Sequence, residues 1–357
     1  MSLAADGAYG EANCQAKEER FGGVNTRESR MQGDGCAVLI PCYNEEITIG
    51  KVVDDFQEAL PLAEIYVYDN NSSDDTARIA EEHGAIVRKY PLQGKGGTCR
   101  QMIRDIDADY YIMVDGDDTY PADAAQELLK PLVDDEADTV VGDRLSNGTY
   151  GDENDRAFHG FGNDLVRFLI KLIYKFEYKD VMTGYRSFNR VFAECLPILS
   201  SGFEIETELS IHAVDKRWRI AQVPITYRDR PEGSESKLST FSDGWKVIKT
   251  IMALFKDYRP LTLFAWLAVI CFVIGLAIGI PIVMTFNDTG LVPKLPSAML
   301  VVTFGLAGLL FIVSGMILDT NVKNNRKEYE LRVIETYRRQ DTRKQCQQKS
   351  QQDSSQD

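Results

Sequence analysis

Asp115-Gly116-Asp117-Asp118 follows directly on the apolar run Tyr110–Val114. Three carboxylates crowded at the end of a buried strand repel one another and call for a cation. Carboxylates together with the oxygens of a substrate diphosphate are the usual surroundings of Mg2+ or Mn2+. Asp115 and Asp117 are therefore the candidate metal ligands, although an acidic turn alone is a common feature. Two more polar clusters close apolar runs: Tyr43-Asn44-Glu45 after Cys36–Pro41, and Asp69-Asn70-Asn71 after Glu64–Tyr68. Lys95 stands in the glycine-rich stretch QGKGGT, where a lysine can approach a phosphate. The stretch is not a Walker A loop, since position 89 is Lys where that motif has Gly, and Gly96 fills the Ser/Thr slot. Only three histidines occur (His83, His159 and His212) and no HExxH, which argues against a histidine-based zinc site.

The elements that would position these clusters alternate. Strands are expected at Cys36–Pro41, Glu64–Tyr68, Ala85–Arg88, Tyr110–Val114 and from Thr139 to Val141. Helices are expected at Glu45–Leu60 (with Asn44 as N-cap), Asp74–His83 and Thr98–Asp105. Strand–helix alternation predicts an α/β fold with a mostly parallel sheet covered on both faces. Ligands of such sheets sit at the carboxyl ends of the strands, near the point where strand order reverses, and all three polar clusters fall at such ends. The chain of 357 residues has room for that domain and more. Its net charge of -14 and pI near 4.8 argue against general nucleic-acid binding. Seven scattered cysteines without a CxxC pair predict free thiols in a reducing compartment. The first 34 residues and the Gln/Ser-rich tail from Gln340 read as disordered, and no signal peptide is visible.

Leu261–Phe286 and Ser297–Leu318 carry no charged residue over 26 and 22 positions, each enough to span a bilayer. Lys246, Lys249, Lys256 and Arg259 flank one side, and Lys323, Arg326, Lys327 and Arg332 the other. The positive-inside rule then sets both flanks, both termini and the sheet domain in the cytoplasm, with the turn Asn287–Pro296 outside. Two amphipathic helices are expected at the membrane interface. In Asn163–Tyr178, Leu165, Leu169, Leu172, Ile173 and Phe176 form the apolar face beside Arg167, Lys171 and Lys175. In Phe241–Asp257, Phe241, Trp245, Ile248, Met252 and Phe255 do so.

PCYNEE (Pro41–Glu46), YDNNSSDDT (Tyr68–Thr76), QGKGGT (Gln93–Thr98), DGDDTYPAD (Asp115–Asp123), VVGDR (Val140–Arg144), MTGYRSF (Met182–Phe188) and YRDRPEGSESKL (Tyr227–Leu238) occur in that order. Together they resemble the inverting family 2 glycosyltransferases of the dolichol-phosphate-mannose-synthase type. With the paired C-terminal spans, the chain is most similar to bacterial polyprenyl-phosphate sugar synthases, over about Cys36 to Leu318. The resemblance implies a GT-A-like, Rossmann-like domain at 35–240, a juxtamembrane helix at 241–259, a two-helix anchor at 260–319 and a cytoplasmic tail at 320–357, in an inner membrane. It implies that Pro41, Tyr43, Glu45, Asp69, Lys95, Asp115 and Asp117 bind the nucleotide sugar, with Mg2+ or Mn2+ on Asp115 and Asp117. The second motif reads Asp-Asn-Asn where many members have Asp-Asp-Asn, and Thr119 stands where mannose synthases often place Gln, as a third ligand. Arg144, Arg228, Arg230 and Lys237 are the acceptor-phosphate candidates, with Arg186 a further one, because arginine forks suit a lipid phosphate. Asp117, Asp143 and Arg144 are the catalytic candidates, Asp143 as an orienting group and not an essential base, since an ionised phosphate is already nucleophilic. Glu204 and Glu206 match an acidic motif near the acceptor side.

The reaction so implied moves one sugar from a nucleotide diphosphate, UDP-N-acetylglucosamine or UDP-glucose, onto undecaprenyl phosphate with inversion. Processive polysaccharide synthases carry QxxRW; here Val214 precedes Arg217-Trp218 in the Gln position, which favours single transfer. Two rivals stay open: a phosphoglycosyl transferase releasing nucleoside monophosphate, for which no nucleophile motif is visible, and a non-enzymatic flippase subunit. The spans lack ionisable residues, which makes a poor transport path. The sugar, and whether the chain forms a homo-oligomer, are left open.

Overall fold

A computed structural model describes residues 26–146, 157–202, 204–228, 260–291 and 295–354. The chain divides into two compact units, residues 1–238 with 332–357, and residues 239–331.

The first unit is built on a seven-stranded sheet. Its strands are β1 (Cys36–Cys42), β2 (Glu64–Asp69), β3 (Ile86–Lys89), β4 (Tyr110–Met113), β5 (Thr139–Asp143), β6 (Arg186–Asn189) and β7 (Ile220–Pro224), in the order β3-β2-β1-β4-β6-β5-β7. Neighbours are parallel except β6, which runs antiparallel to both β4 and β5. The expected mostly parallel sheet is found, with GT-A-like architecture. β6 and β7 were not foreseen: β6 is four residues of Arg-Ser-Phe-Asn, and neither strand shows an apolar run or alternation strong enough to read.

β1 illustrates why the sheet is two-sided. Val38 and Ile40 point into one apolar core with Val52, Phe56 and Leu128, while Ala37 and Leu39 point into another with Met102, Phe188 and Ile205. Successive strand residues face opposite ways, so a strand covered on both faces must be apolar throughout. Helices α2 (Ile49–Ala59), α3 (Thr76–Glu82), α4 (Lys95–Asp105), α5 (Ala125–Val133) and α8 (Ile205–Asp215) supply the cover, with α6 (Ala157–Tyr174) and the short α7 (Arg190–Glu194).

Several expectations are corrected. Asn44 does not cap α2, which begins only at Ile49; Asn44 is left-handed (φ 53°), and its side-chain oxygen accepts the Ser73 amide at 2.8 Å. The segment up to residue 34, expected to be disordered, holds α1 (Arg27–Met31), capped by Thr26 and tied to Asp134 through Arg27 at 2.6 Å. The apolar stripe expected on α6 is not among these corrections: of its members Leu172 is exposed, the side chains of Leu165, Leu169 and Ile173 lie outside the described ones, and Val166 and Ile170, outside the stripe, are buried. The amphipathic stretch expected at 241–257 lies outside the described residues.

The second unit contains α9 (Pro260–Thr289), and α10 (Leu295–Ser354) runs from it into the first unit. Both helices have a stretch long and apolar enough to cross a membrane, with mean hydropathy 2.8 and 2.4 and little of either stretch buried. α10 continues helical past the expected limit of order at Gln340, because Arg, Lys, Gln and Glu are good helix formers and no Gly or Pro follows Gly315. Its residues from Arg332 on group with the sheet: the Cys195 thiol donates to Thr336 Oγ1 at 3.6 Å, and Arg343 faces Asp107 at 3.6 Å.

Candidate active site

The carboxyl ends of β1, β2, β4 and β5 share one edge of the sheet, and β1 and β4 flank the point where strand order reverses. There the acidic motif leaves β4. Thr48 donates its hydroxyl to the Gly116 carbonyl at 2.7 Å, pinning the motif to the turn before α2.

Its three carboxylates have different partners. Asp117 is buried, and its Oδ1 accepts the Thr119 hydroxyl at 2.6 Å and the Thr119 amide at 3.2 Å. Thr119 therefore orients Asp117. Asp118, left-handed at φ 58°, accepts from Lys51 at 2.7 Å and faces the Arg228 guanidinium at 3.9 Å. Asp115 contacts the Lys95 ammonium through Oδ1. Its Oδ2 lies against Gly184, where a Cβ would come within 2.5 Å, so the glycine of MTGYRSF is needed for a close approach.

Lys95 is the first residue of α4, and its ammonium also meets Glu206 Oε1, from α8, at 2.5 Å. Burial alone would lower the Lys95 pKa; the charges of Asp115 and Glu206 outweigh it, and the ammonium is held well above its ordinary value. Burial drives the Glu206 carboxyl upward, opposed by Lys95. The glycines around Lys95 have a packing reason. The carbonyls of Ser201 and Ser200 lie where Cβ atoms on Gly94 and Gly96 would be, and Gly94 takes φ +141°. Ser200 is itself held by Glu208, which accepts its amide at 2.9 Å and its hydroxyl at 2.5 Å.

Asn70 explains the departure in the second motif. Its amide donates to the Tyr90 carbonyl at 3.1 Å and the Leu92 carbonyl at 2.7 Å, and its oxygen accepts the Gly94 amide at 2.7 Å. An aspartate could not make the two donations. This residue braces the loop into α4. Asp69 ends β2, and its Oδ1 accepts the Ser72 amide at 2.9 Å. Pro41 lies on β1 in register with Tyr68; the Glu45 amide donates to Thr76 Oγ1 at 2.8 Å; Tyr43 is half-buried on the same edge.

The basic candidates separate. Arg144 is buried and makes a bidentate pair with the fully buried Asp180, at 2.6 and 3.1 Å, with its guanidinium over the Tyr227 ring at 5.4 Å. Tyr120 joins this cluster: its hydroxyl accepts from the Gly184 amide at 3.0 Å and from Arg144 at 3.4 Å. Arg228 is half exposed beside Asp118. Arg186, a further phosphate candidate from sequence, is buried instead, donating to the carbonyls of Thr183 and Val181 and to the Ser210 hydroxyl, and burial lowers its pKa. Asp143 is buried; its Oδ1 accepts the amides of Leu145 and Ser146 at 3.0 and 3.2 Å, and Oδ2 meets the Ser146 hydroxyl. That carboxylate shapes the turn after β5. Glu204 precedes α8 as its N-cap residue. Arg230 and Lys237 lie outside the described residues.

Among the described residues no three His, Cys, Asp or Glu side chains converge on one point. Two carboxylates at a strand end nevertheless suit a hard divalent ion that keeps waters and takes its other ligands from substrate phosphates. The donor chemistry of Asp115 and Asp117 is compatible with such an ion. The contacts of Tyr120, Asp180 and Gly184 are not legible in the sequence, because each acts through a partner distant in the chain, whereas Thr119 acts through its near neighbour Asp117.

Residues 37–196 match the family described as Glycosyl transferase family 2. A dolichyl-phosphate hexose transferase of Haloferax volcanii is 30% identical over 226 residues, covering 63% of this chain and 96% of that protein. The chain belongs to glycosyl transferase family 2. This glycosyltransferase is also 29% identical over 300 residues to glycosyltransferase AglJ of the same organism, covering 83% of this chain and 96% of AglJ. In fold it is similar to glucosyl-3-phosphoglycerate synthase from Mycobacterium tuberculosis in complex with UDP, with TM-score 0.52, 22% identity, and coverage of 64% of this chain and 82% of that one. That synthase is also known with Mn2+ and UDP-glucose.

Proposed function

We propose that this family 2 enzyme transfers one hexose from a nucleotide diphosphate sugar to a polyprenyl phosphate, with inversion, at the cytoplasmic face of a membrane. The observation that carries the reading is the convergence of Asp115, Asp117 and Lys95 on the sheet edge where Arg228 also lies. A dolichyl-phosphate hexose transferase among the relatives supports a lipid-phosphate acceptor. Two helices long and apolar enough to span a bilayer are consistent with it. UDP in the fold neighbour supports UDP-glucose or UDP-N-acetylglucosamine as donor.

In this reading Asp115 and Asp117 would hold Mg2+ or Mn2+, which when bound would offset the charge on the diphosphate leaving group. Tyr43, Glu45 and Asp69, with Pro41, bound the nucleoside side of the edge. Lys95 presents its ammonium to the diphosphate. Arg228, with Arg230 and Lys237, binds the acceptor phosphate. Arg144 acts from the buried Asp180 pair and Asp143 by shaping the turn after β5. The acceptor oxygen is already ionised, so no residue has to remove a proton.

The bond that breaks tests the reaction. Incubation with UDP-sugars and undecaprenyl phosphate, followed by mass spectrometry, should give a lipid with a single phosphate, and UDP as co-product. A lipid with two phosphates released alongside UMP would make this a phosphosugar transferase. For topology, a cysteine at Thr289 in a background without native thiols should react with an impermeant maleimide in intact cells, and one in the tail should not. The reverse labelling would overturn the cytoplasmic placement.

A further inference from the structure

The contacts of Asp115 raise a question of occupancy. Its Oδ1 meets the Lys95 ammonium, and its Oδ2 is packed against Gly184. A divalent ion on this carboxylate would come up against a positive charge that is nearly out of solvent, the Lys95 side chain being 9% exposed. Repulsion between two cations is large where water does not screen it. Nor is the base of this lysine free to move away. Asn70 holds the Gly94 amide, and the carbonyls of Ser200 and Ser201 lie against Gly96 and Gly94. Only the end of the side chain can relocate. It has a second anion within reach: Glu206, at 2.5 Å. Letting go of Asp115 would leave the ammonium paired.

We propose that Lys95 is an internal cation that contends with the divalent ion for Asp115, that Glu206 is the positioning residue to which its ammonium withdraws, and that the metal and the nucleotide diphosphate consequently bind as a cooperative pair. The inference rests on the assignment of Asp115 and Asp117 as the metal carboxylates. The diphosphate contributes because it gives the displaced ammonium a new anion and gives the metal further oxygens. Each ligand thereby relieves what opposes the other, and the coupling is reciprocal.

The test is Mn2+ binding to the full-length protein in detergent, followed by electron paramagnetic resonance, with Mn2+ alone and with Mn2+ plus UDP. The unaltered protein should bind Mn2+ alone weakly and much more tightly with UDP. Lys95→Met should bind Mn2+ alone about ten- to a hundredfold more tightly, the scale of one charge-assisted contact. The factor by which UDP tightens Mn2+ should shrink by a similar amount. Because Lys95→Met leaves Asp115 and Glu206 together without their cation, Lys95→Met/Glu206→Gln is measured beside it, and the same tightening is expected. Unchanged or weaker binding of Mn2+ alone in both variants would overturn the proposal. So would tightening in the single variant that disappears in the double one, since Glu206 and not Asp115 would then have captured the ion. Asp115→Asn separates the two levels: loss of Mn2+ binding with UDP present supports the metal assignment, and retained binding there means that the assignment itself, and with it this inference, is wrong.

Discussion

The two charged corners of the sheet edge are organised in opposite ways. At the Asp115 corner, a partly exposed carboxylate just beyond β4 meets the nearly buried Lys95 of α4 and Glu206 of α8, and their charges are arranged among themselves. At the Arg228 corner one arginine is buried and the other is not: Arg144 is locked to Asp180, while Arg228 is half exposed and only loosely paired with Asp118. A buried charge that is already matched gives a fixed field and costs much to break. An exposed charge with a distant partner contributes little to stability and stays available to a ligand. The contrast assigns preorganisation to the Asp115 corner and to Arg144, and recruitment to Arg228 alone.

The largest expected effect bears on the first corner. Asp117→Asn should lower kcat by roughly a thousandfold or more, several kcal/mol of charge stabilisation, while the protein still inserts and melts normally. EDTA should act likewise, and Mg2+ or Mn2+ should restore turnover. Full activity in EDTA would remove the metal from the account.

The second prediction sets the arginines against each other. Arg144→Ala leaves Asp180 buried without its partner and should destabilise the fold by about 3–5 kcal/mol, seen as a lower Tm. Arg228→Ala should leave Tm almost unchanged and reduce catalytic efficiency with the lipid acceptor about ten- to over a hundredfold. If Arg144→Ala melts like the parent while losing acceptor use, the contrast between the corners fails.

The smallest effect concerns α8, which carries Glu206. On the same helix His212 is buried against Phe192, and burial lowers its pKa from 6.5 to about 4, with Lys216 acting in the same sense and Asp215 against it. The folded-state value lies below the unfolded one, so the unfolded chain takes up the proton first. Stability from this group is therefore present above pH 6.5 and is lost as pH falls from there toward about 4. The full swing is on the order of 3 kcal/mol. Denaturant unfolding at a series of pH values should show this slope, and His212→Gln should flatten it. An unchanged slope in the variant would assign it to other groups.

Much of this was legible in the chain. Apolar runs ending in polar clusters located β1, β2 and β4, and with them the edge that carries the site, because a strand buried on both faces must be apolar and its carboxyl end is where the chain emerges. Charge-free stretches marked the two span-length helices for the same reason of solvent matching. The order of the motifs was sufficient to recognise the family. What the chain could not disclose was pairing. Asn70, the departure in the second motif, braces a loop; Gly94 and Gly96 make room for Ser200 and Ser201, more than a hundred residues away; Arg144 and Arg186 resemble phosphate ligands in sequence, yet Asp180 and main-chain carbonyls hold them. The antiparallel β6, too short to read, brings Gly184 to Asp115. Periodicity is a local property, carried by each segment on its own. Which charge neutralises which depends on strand order, and strand order is decided only when the whole sheet assembles.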